Sequence, residues 1–270
     1  MPALGACHAA GAAVVVWCRM PTDSPIHVLI PAAGVGQRAG TPCPKQYQPV
    51  AGAPVLAHTL RVFAPLRAQG QLAQVWLVVA PQDGWLDGAL PDVDAHARVL
   101  RCGGASRAAS VANGLAAMRQ AGVADHAWVL VHDAARCLLQ PAQVTALIAA
   151  GRAAAARGDA WPGALLALPL PDTLKQADAQ DRVAATVARV DKWLAQTPQM
   201  FRLAELQAAL ARAFDGDDYP GVTDEASAME ALGARPQLVV GSAQNLKLTY
   251  PDDFALAEAL LQARALAAGG

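Results

Sequence analysis

The chain has 270 residues, 54% of them hydrophobic and 5% aromatic, with a formal net charge of -1, a profile that fits one alanine-rich α/β domain with an embellishment and a large core. Near-neutral charge excludes a general electrostatic footprint for nucleic acid and a polybasic attachment to membranes, so cations that meet a polyanionic substrate must be concentrated locally. Five scattered cysteines, without C-x-x-C or zinc-site spacing, fit a reducing, cytoplasmic compartment.

The apolar run Gly11 to Trp17 is too short to span a bilayer, and no Lys or Arg precedes it as a signal peptide would require. Residues 1–25 end in the breaker cluster P-T-D-S-P and read as an N-terminal extension, expected to be disordered, with Met20 an alternative start. From Ile26 onward, short apolar runs alternate with alanine-rich helical stretches, the βαβ rhythm of a mostly parallel sheet covered on both faces. Strands are expected at His27 to Pro31, Val75 to Ala80, Ala97 to Leu100, Trp128 to His132, Ala164 to Leu168 and Gln237 to Val240. Apolar spacing bounded by Gly, Pro or Asp predicts helices at Val55 to Pro65, Arg107 to Gln120, Pro141 to Arg157, Arg202 to Phe214, Asp224 to Leu232 and Asp252 to Ala268. The polar stretch Pro169 to Lys192, with a turn-like A-D-A-Q-D in its middle, reads as a protruding β-hairpin. A hairpin projecting from a sheet cannot bury an apolar face alone, so a partner subunit is expected.

Three segments carry chemistry. The first, I-P-A-A-G-V-G-Q-R-A-G-T-P-C-P-K-Q-Y from Ile30 to Tyr47, is a glycine-rich loop leaving a strand, followed by Arg38 and Lys45. Backbone N–H groups there can approach phosphates while the cations neutralise charge that grows during phosphoryl chemistry. The spacing Gly34, Gly36, Gly40 is not G-x-G-x-x-G, no acid follows to hold a ribose, and no G-K-[ST] makes a Walker loop. A plain strand-to-helix turn remains the alternative. The second, G-G-A-S-R-A-A-S from Gly103 to Ser110, is either a glycine turn with a serine cap or a second backbone surface for a base or ribose, with Ser110 as a hydrogen-bonding side chain. The third, V-L-V-H-D-A-A-R from Val129 to Arg136, ends a strand in Asp133, where open α/β sheets bind ligands. Asp133 is either a ligand for Mg²⁺, which takes one or two carboxylates plus substrate phosphates, or a helix N-cap beside a structural His132. Arg136 has a positioning role, pairing Asp133 or pinning the loop.

In order, P-A-A-G-x-G-x-R-x(6)-P-K-Q-Y, G-G-x-x-R-x-x-S, V-H-D-A-A-R, D-T-x-K, Q-T-P-Q-x-F, T-D-E-A-S and N-x-K-x-T, running from about Ile26 to Ala265, resemble the 2-C-methyl-D-erythritol 4-phosphate cytidylyltransferase family. The resemblance implies a Rossmann-like, mostly parallel α/β sheet of nucleotidyltransferase type in residues 26–270, with the β-arm at about 169–192. It implies transfer of the cytidylyl group of CTP to methylerythritol phosphate, a step toward isoprenoid precursors, by a homodimer that exchanges arms at its active sites. Carried over by position, Arg38 and Lys45 stabilise the transition state, and Arg189 and Lys247 position the acceptor. Asp133 is the Mg²⁺ ligand and stands with Thr173, Arg189, Thr223 and Lys247 in the acceptor site. Thr173 and Arg189 come from the neighbouring arm. Pro31, Ala32, Ala33, Gly34, Gly36, Gly103, Gly104 and Ser110 frame the cytosine nucleotide. The chain departs from the pattern at Cys137, commonly Pro, at Ala105 and Ala188, commonly acidic, and in the insert D-G-D-D-Y-P-G before Thr223.

An acceptor phosphate is already ionised, so alignment and charge neutralisation suffice and no protein nucleophile is required. Two rivals are a ribitol 5-phosphate cytidylyltransferase, which would share the nucleotide loop, and a nicotinamide-binding oxidoreductase, against which the glycine spacing and missing ribose acid both count. A noncatalytic nucleotide-binding subunit would have no use for Arg38, Lys45, Asp133 and Lys247 together.

Overall fold

The computed structural model describes residues 24–34, 43–216 and 218–269; the expected N-terminal extension up to residue 23, and both Gly36 and Arg38, lie outside them. Ser24 and Pro25 belong with the domain, since Ser24 is buried and the Pro25 carbonyl accepts from the Trp128 N–H at 2.9 Å.

The first half of the chain runs β1 (Ile26–Pro31), a short ladder of β2 (Pro49–Val50) and β3 (Ala53–Pro54), α1 (Val55–Ala68), β4 (Gln74–Val78), α2 (Leu86–Ala89), α3 (Val93–His96), β5 (Arg98–Leu100), α4 (Arg107–Gln120) and β6 (Trp128–Val131). The second half comprises α5 (Pro141–Arg157), β7 (Ala164–Pro169), β8 (Leu174–Ala177), β9 (Val183–Val187), β10 (Trp193–Arg202), α6 (Leu203–Ala213), α7 (Glu225–Glu230), β11 (Gln237–Val240) and α8 (Pro251–Gly269). Seven strands form one sheet in the order β11-β7-β10-β6-β1-β4-β5. Its pairings are parallel except those of β10, which runs antiparallel to β6 and β7. This is the expected mostly parallel α/β architecture.

Alternation along β1 explains the layers. Val28 and Ile30 pack on one face with Leu56, Leu60 and Phe63 of α1 and Val144 and Leu147 of α5. Leu29 points to the other face, among Val111, Leu115 and Met118 of α4 and Leu203, Leu206 and Leu210 of α6. A strand buried on both sides reads as a continuous apolar run, as Val28 to Ile30 does. A third cluster joins α8 to the loop after β6 through Ala257, Leu248, Leu138 and Cys137. Cys137 is thus a core residue, and burial pushes its thiol up to about 11.

Two expectations need correction. Helix α1 does not stop at Pro65 but continues to Ala68. Pro65 removes one interior hydrogen bond, yet Leu66 beyond it is buried in the core, and the Pro65 carbonyl accepts from Gln69 N–H at 3.0 Å. The second is β10, ten residues long and central in the sheet, where sequence reasoning placed no strand. Polar Gln196, Thr197 and Gln199 around Pro198 argue against an interior strand. The ladder accommodates them through a register shift between Ala195 and Gln199, and β-bulges are where sheets tolerate proline. The arm is present as expected: β8 and β9 pair antiparallel in a separate two-stranded sheet, closed at its base by Leu170 N–H donating to the Lys192 carbonyl at 2.9 Å.

Gly114 lets α4 lie close to the sheet, because a Cβ there would stand 2.7 Å from Val78 Cγ2 and 2.9 Å from Leu29 Cδ1. Gly114→Val should therefore lower unfolding free energy by about 1–3 kcal/mol through overpacking, read from urea denaturation midpoints at unchanged m-value. A neutral midpoint would show that α4 can shift away from β4 without loss.

Candidate active site

Strand order reverses at β1, which has β4 on one side and β6 on the other. Where chains leave in opposite directions from neighbouring parallel strands, a crevice opens at the carboxyl ends. A cavity of about 440 Å³ lies there, lined by Pro31 to Gly34 after β1, Gly104 to Arg107 before α4, Asp133 to Ala135 after β6, and by Lys45, Gln46, Ser110 and Lys247.

The loop after β1 is shaped from behind. Gln46, almost fully buried, donates from Nε2 to the carbonyls of Ala32 at 2.7 Å and Gly34 at 3.1 Å, which turns the backbone of this segment. Ala32 N–H bonds the Val78 carbonyl at 2.7 Å. Lys45 Nζ donates to the Leu248 carbonyl at 3.0 Å and lines the cavity. The second loop is equally fixed. Gly103 donates to the Val79 carbonyl at 2.8 Å, and a Cβ on it would strike Ala33, so close approach of the two loops requires glycine. Ser106 caps α4, accepting from Ala109 N–H. Ser110 is 2% exposed; its Oγ accepts from Gly104 N–H at 3.1 Å and donates to the Ser106 carbonyl at 2.9 Å. Its hydroxyl holds the glycine turn in shape, and Gly103 supports the cavity from outside its lining.

At the centre stands Asp133, with its side chain 9% exposed. Arg107 Nε lies 2.8 Å from Oδ1, Lys247 Nζ 2.9 Å from Oδ2, and Arg136 Nε 3.5 Å from Oδ2. Burial alone would raise the Asp133 pKa, but Arg107, Lys247 and Arg136 outweigh it and hold the carboxyl well below the usual range. Arg107 in turn makes a bidentate pair with Glu225, Nη1 to Oε1 at 2.7 Å and Nη2 to Oε2 at 3.0 Å. Burial opposes its charge, but Glu225 and then Asp133 raise its pKa above the ordinary value. Arg136 donates from Nη1 to the Asn245 carbonyl at 2.6 Å, fixing the loop that presents Lys247. Asp133 caps no helix: the helix that follows is α5, whose N-cap is Gln140. The capping alternative is therefore overturned.

A buried polar knot supports this carboxylate. Thr197 of β10 accepts the Asp133 N–H at 3.0 Å and meets His132 Nδ1 at 3.0 Å. His132 Nε2 lies 3.2 Å from the Arg136 carbonyl. The pattern assigns a neutral ring that accepts at Nδ1 and donates at Nε2, consistent with burial lowering its pKa to about 4. Asn245 Nδ2 donates to the Thr197 carbonyl at 2.9 Å. Gln199 grips α7, donating to Asp224 Oδ2 and accepting from Ala226 N–H, both at 2.8 Å. Asp224 caps α7 with its side chain.

The cavity thus gathers Pro31, Ala32, Ala33, Gly34, Lys45, Gly104, Ser110, Asp133 and Lys247. It does not include Thr173, Arg189 or Thr223. Thr173 and Arg189 are exposed on the arm, where Arg189 Nη1 donates to the Pro171 carbonyl, and exposed Thr223 precedes the cap of α7. Sequence reasoning missed the roles of Gln46, Thr197, Gln199 and Glu225. Their motifs were visible, but partners up to 118 residues apart leave no local signal.

Removing the Thr197 hydroxyl strands the buried Asp133 N–H. Thr197→Val should lower stability by about 1–3 kcal/mol, whereas Thr173→Val on the exposed arm should stay within about 0.5 kcal/mol; both are read by urea denaturation of the purified variants.

A family profile described as 2-C-methyl-D-erythritol 4-phosphate cytidylyltransferase matches residues 26–263. The chain is 52% identical over 239 residues to the Chromobacterium violaceum protein of that name, covering 87% of this chain and 97% of that one. It is 54% identical over 239 residues to the bifunctional enzyme IspD/IspF of Albidiferax ferrireducens, where the match covers 87% of this chain and 53% of the longer protein. Among solved structures, one described as 4-diphosphocytidyl-2C-methyl-D-erythritol synthase superposes with a TM-score of 0.73 at 39% identity, covering 88% of this chain and 99% of that one. The Francisella tularensis 2-C-methyl-D-erythritol 4-phosphate cytidylyltransferase superposes with a TM-score of 0.71 at 31% identity over 87% and 98% of the two chains. Fold, ordered motifs and relatives agree, and the chain belongs to the 2-C-methyl-D-erythritol 4-phosphate cytidylyltransferase family.

Proposed function

We propose that this enzyme transfers the cytidylyl group of CTP to 2-C-methyl-D-erythritol 4-phosphate, giving 4-diphosphocytidyl-2-C-methyl-D-erythritol and pyrophosphate, in isoprenoid precursor synthesis. The observation that carries the reading is the cavity between the ends of β1 and β6, where small-residue backbone faces Lys45, Arg107 and Lys247 around a single carboxylate. Such a site suits a triphosphate on one side and an anionic acceptor on the other.

An acceptor phosphate oxygen bonds the α-phosphorus in line as the bridging oxygen between the α- and β-phosphorus atoms departs with pyrophosphate. The protein's task is alignment and charge neutralisation. Lys45 and Arg38 serve the α-phosphate, Lys45 being tethered through its ammonium to the Leu248 carbonyl at the cavity wall. Lys247 serves the acceptor phosphate. Cations fixed in the cavity wall stabilise charge that grows in the transition state without reorganising at the moment of reaction.

No group of three or more His, Cys, Asp or Glu side chains among the described residues forms a metal cage. The donor set nonetheless fits Mg²⁺, which is held by one or two carboxylates together with substrate phosphates. Asp133, ionised at neutral pH and facing the cavity, would hold it. The ion, when bound, supplies further neutralisation and orientation of the phosphates.

The acceptor side is completed by Thr223 and by Thr173 and Arg189 of a second copy's arm. Support comes from the arm itself. Leu174, Val183, Val190, Trp193 and Leu194 are exposed along it and at its base, and a two-stranded ribbon with an apolar face calls for a covering partner. No helix among the described residues is long and apolar enough to cross a membrane.

The reading is tested by pyrophosphate release from CTP with methylerythritol phosphate beside ribitol 5-phosphate. Release should require Mg²⁺ and strongly favour methylerythritol phosphate; preference for ribitol 5-phosphate would transfer the chain to the other acceptor. Lys45→Ala should lower turnover by about 10²- to 10³-fold, the scale for losing one preorganised electrostatic contact. Near-normal turnover would remove Lys45 from the mechanism.

A further inference from the structure

Glu225 is 2% exposed and stands outside the cavity's lining, holding the guanidinium of Arg107, which lines it, by both oxygens. That fork fixes the guanidinium plane, because holding both Nη atoms restricts the side-chain torsions that would otherwise swing the planar group. The remaining Nε–H then points at one oxygen of Asp133, 2.8 Å away. Glu225 is itself fixed. It is the first residue of α7, whose cap Asp224 and second residue Ala226 are both gripped by buried Gln199 of β10. A rigid path of charge-assisted hydrogen bonds runs from the sheet through α7 and Arg107 to Asp133.

The path also sets charge. Asp133 faces Arg107, Arg136 and Lys247, and an anion so surrounded would attract a dication weakly. Glu225 offsets the cation that sits nearest to Asp133. Resting on the reading that Asp133 holds a divalent cation, we infer that Glu225 is a positioning residue for that cation, acting through Arg107 to aim the Asp133 carboxylate and preserve its negative field. Outer residues that orient a metal-binding carboxylate typically contribute 10–100-fold in metal affinity.

The test uses Mn²⁺ as the probe, its free ion counted by electron paramagnetic resonance in the presence of CTP without acceptor. CTP affinity without metal and thermal unfolding are measured on the same proteins. Glu225→Gln should weaken Mn²⁺ binding by about 10–100-fold while CTP affinity without metal stays unchanged, a split that a merely structural role would not produce. Unchanged Mn²⁺ affinity overturns the inference, as does an equal loss of metal-free CTP binding. Asp133→Asn separates the two layers. If it binds Mn²⁺ as the unaltered enzyme does, the metal reading falls and the inference with it; if it weakens binding and Glu225→Gln does not, only the inference falls. Should Glu225→Gln fail to fold, Glu225→Asp carries the same readout: it keeps the charge but shortens the reach, so weaker Mn²⁺ binding at unaltered CTP affinity supports the inference and unaltered Mn²⁺ binding overturns it.

Discussion

A carboxylate buried at the end of β6 must be balanced by cations brought to it from three separate places in the chain, and much of the site's construction follows from that constraint. Desolvating an unpaired carboxylate is expensive, so Asp133 would protonate or move to solvent if left alone. Arg107 from the start of α4, Arg136 from the loop after β6 and Lys247 from the loop before α8 keep it ionised. Each contact also fixes a loop. Arg107 draws the glycine turn and α4 against the end of β6, Arg136 pins the segment around Asn245, and Lys247 brings its own backbone to the cavity mouth, where the Leu248 carbonyl receives Lys45. The loop after β1, the Asp133 carboxylate and Lys247 are therefore parts of one electrostatic unit.

The antiparallel strand β10 makes this unit rigid. Its polar centre lies inside the sheet, where every donor and acceptor has to find a partner. Thr197 serves the Asp133 backbone and the His132 ring, Asn245 closes on the Thr197 carbonyl, and Gln199 spans to α7. Polar groups so arranged specify one register, because sliding β10 by a residue would strand several of them at once. The same strand passes on one side to the arm and on the other to α6. The element that supports the Asp133 carboxylate is thus continuous with the ribbon proposed to reach a second copy.

Much of this was legible in the sequence, and the part that was not has a common character. Helices α4 and α5 matched their expected bounds because Ser106 and Pro141 mark their starts and apolar spacing marks their buried faces. Strands β1 and β6 were evident as apolar runs, and Asp133 stood out by ending one of them. β10 was missed because its decisive residues are polar and flank a proline, which by local rules argues for a loop. Their partners are in α7, in the loop after β6 and around residue 245, all remote in sequence. Pro65 likewise hid the last turn of α1, since a local breaker was outweighed by burial of Leu66 in the common core.

By itself, then, the sequence determined the alternating α/β layers, the glycine-rich approaches to the cavity, the protruding arm and the family, because each is written in local pattern or in an ordered series of motifs. Tertiary structure alone decided that Asp133 is an ion-paired carboxylate and not a cap, that Ser110 braces the glycine turn, and that Glu225 belongs to the site at all. Those outcomes depend on which charges and hydrogen-bonding groups the fold brings within about 3 Å of one another. Separations of 26, 64 and 118 residues along the chain carry no trace of that proximity until the sheet has assembled.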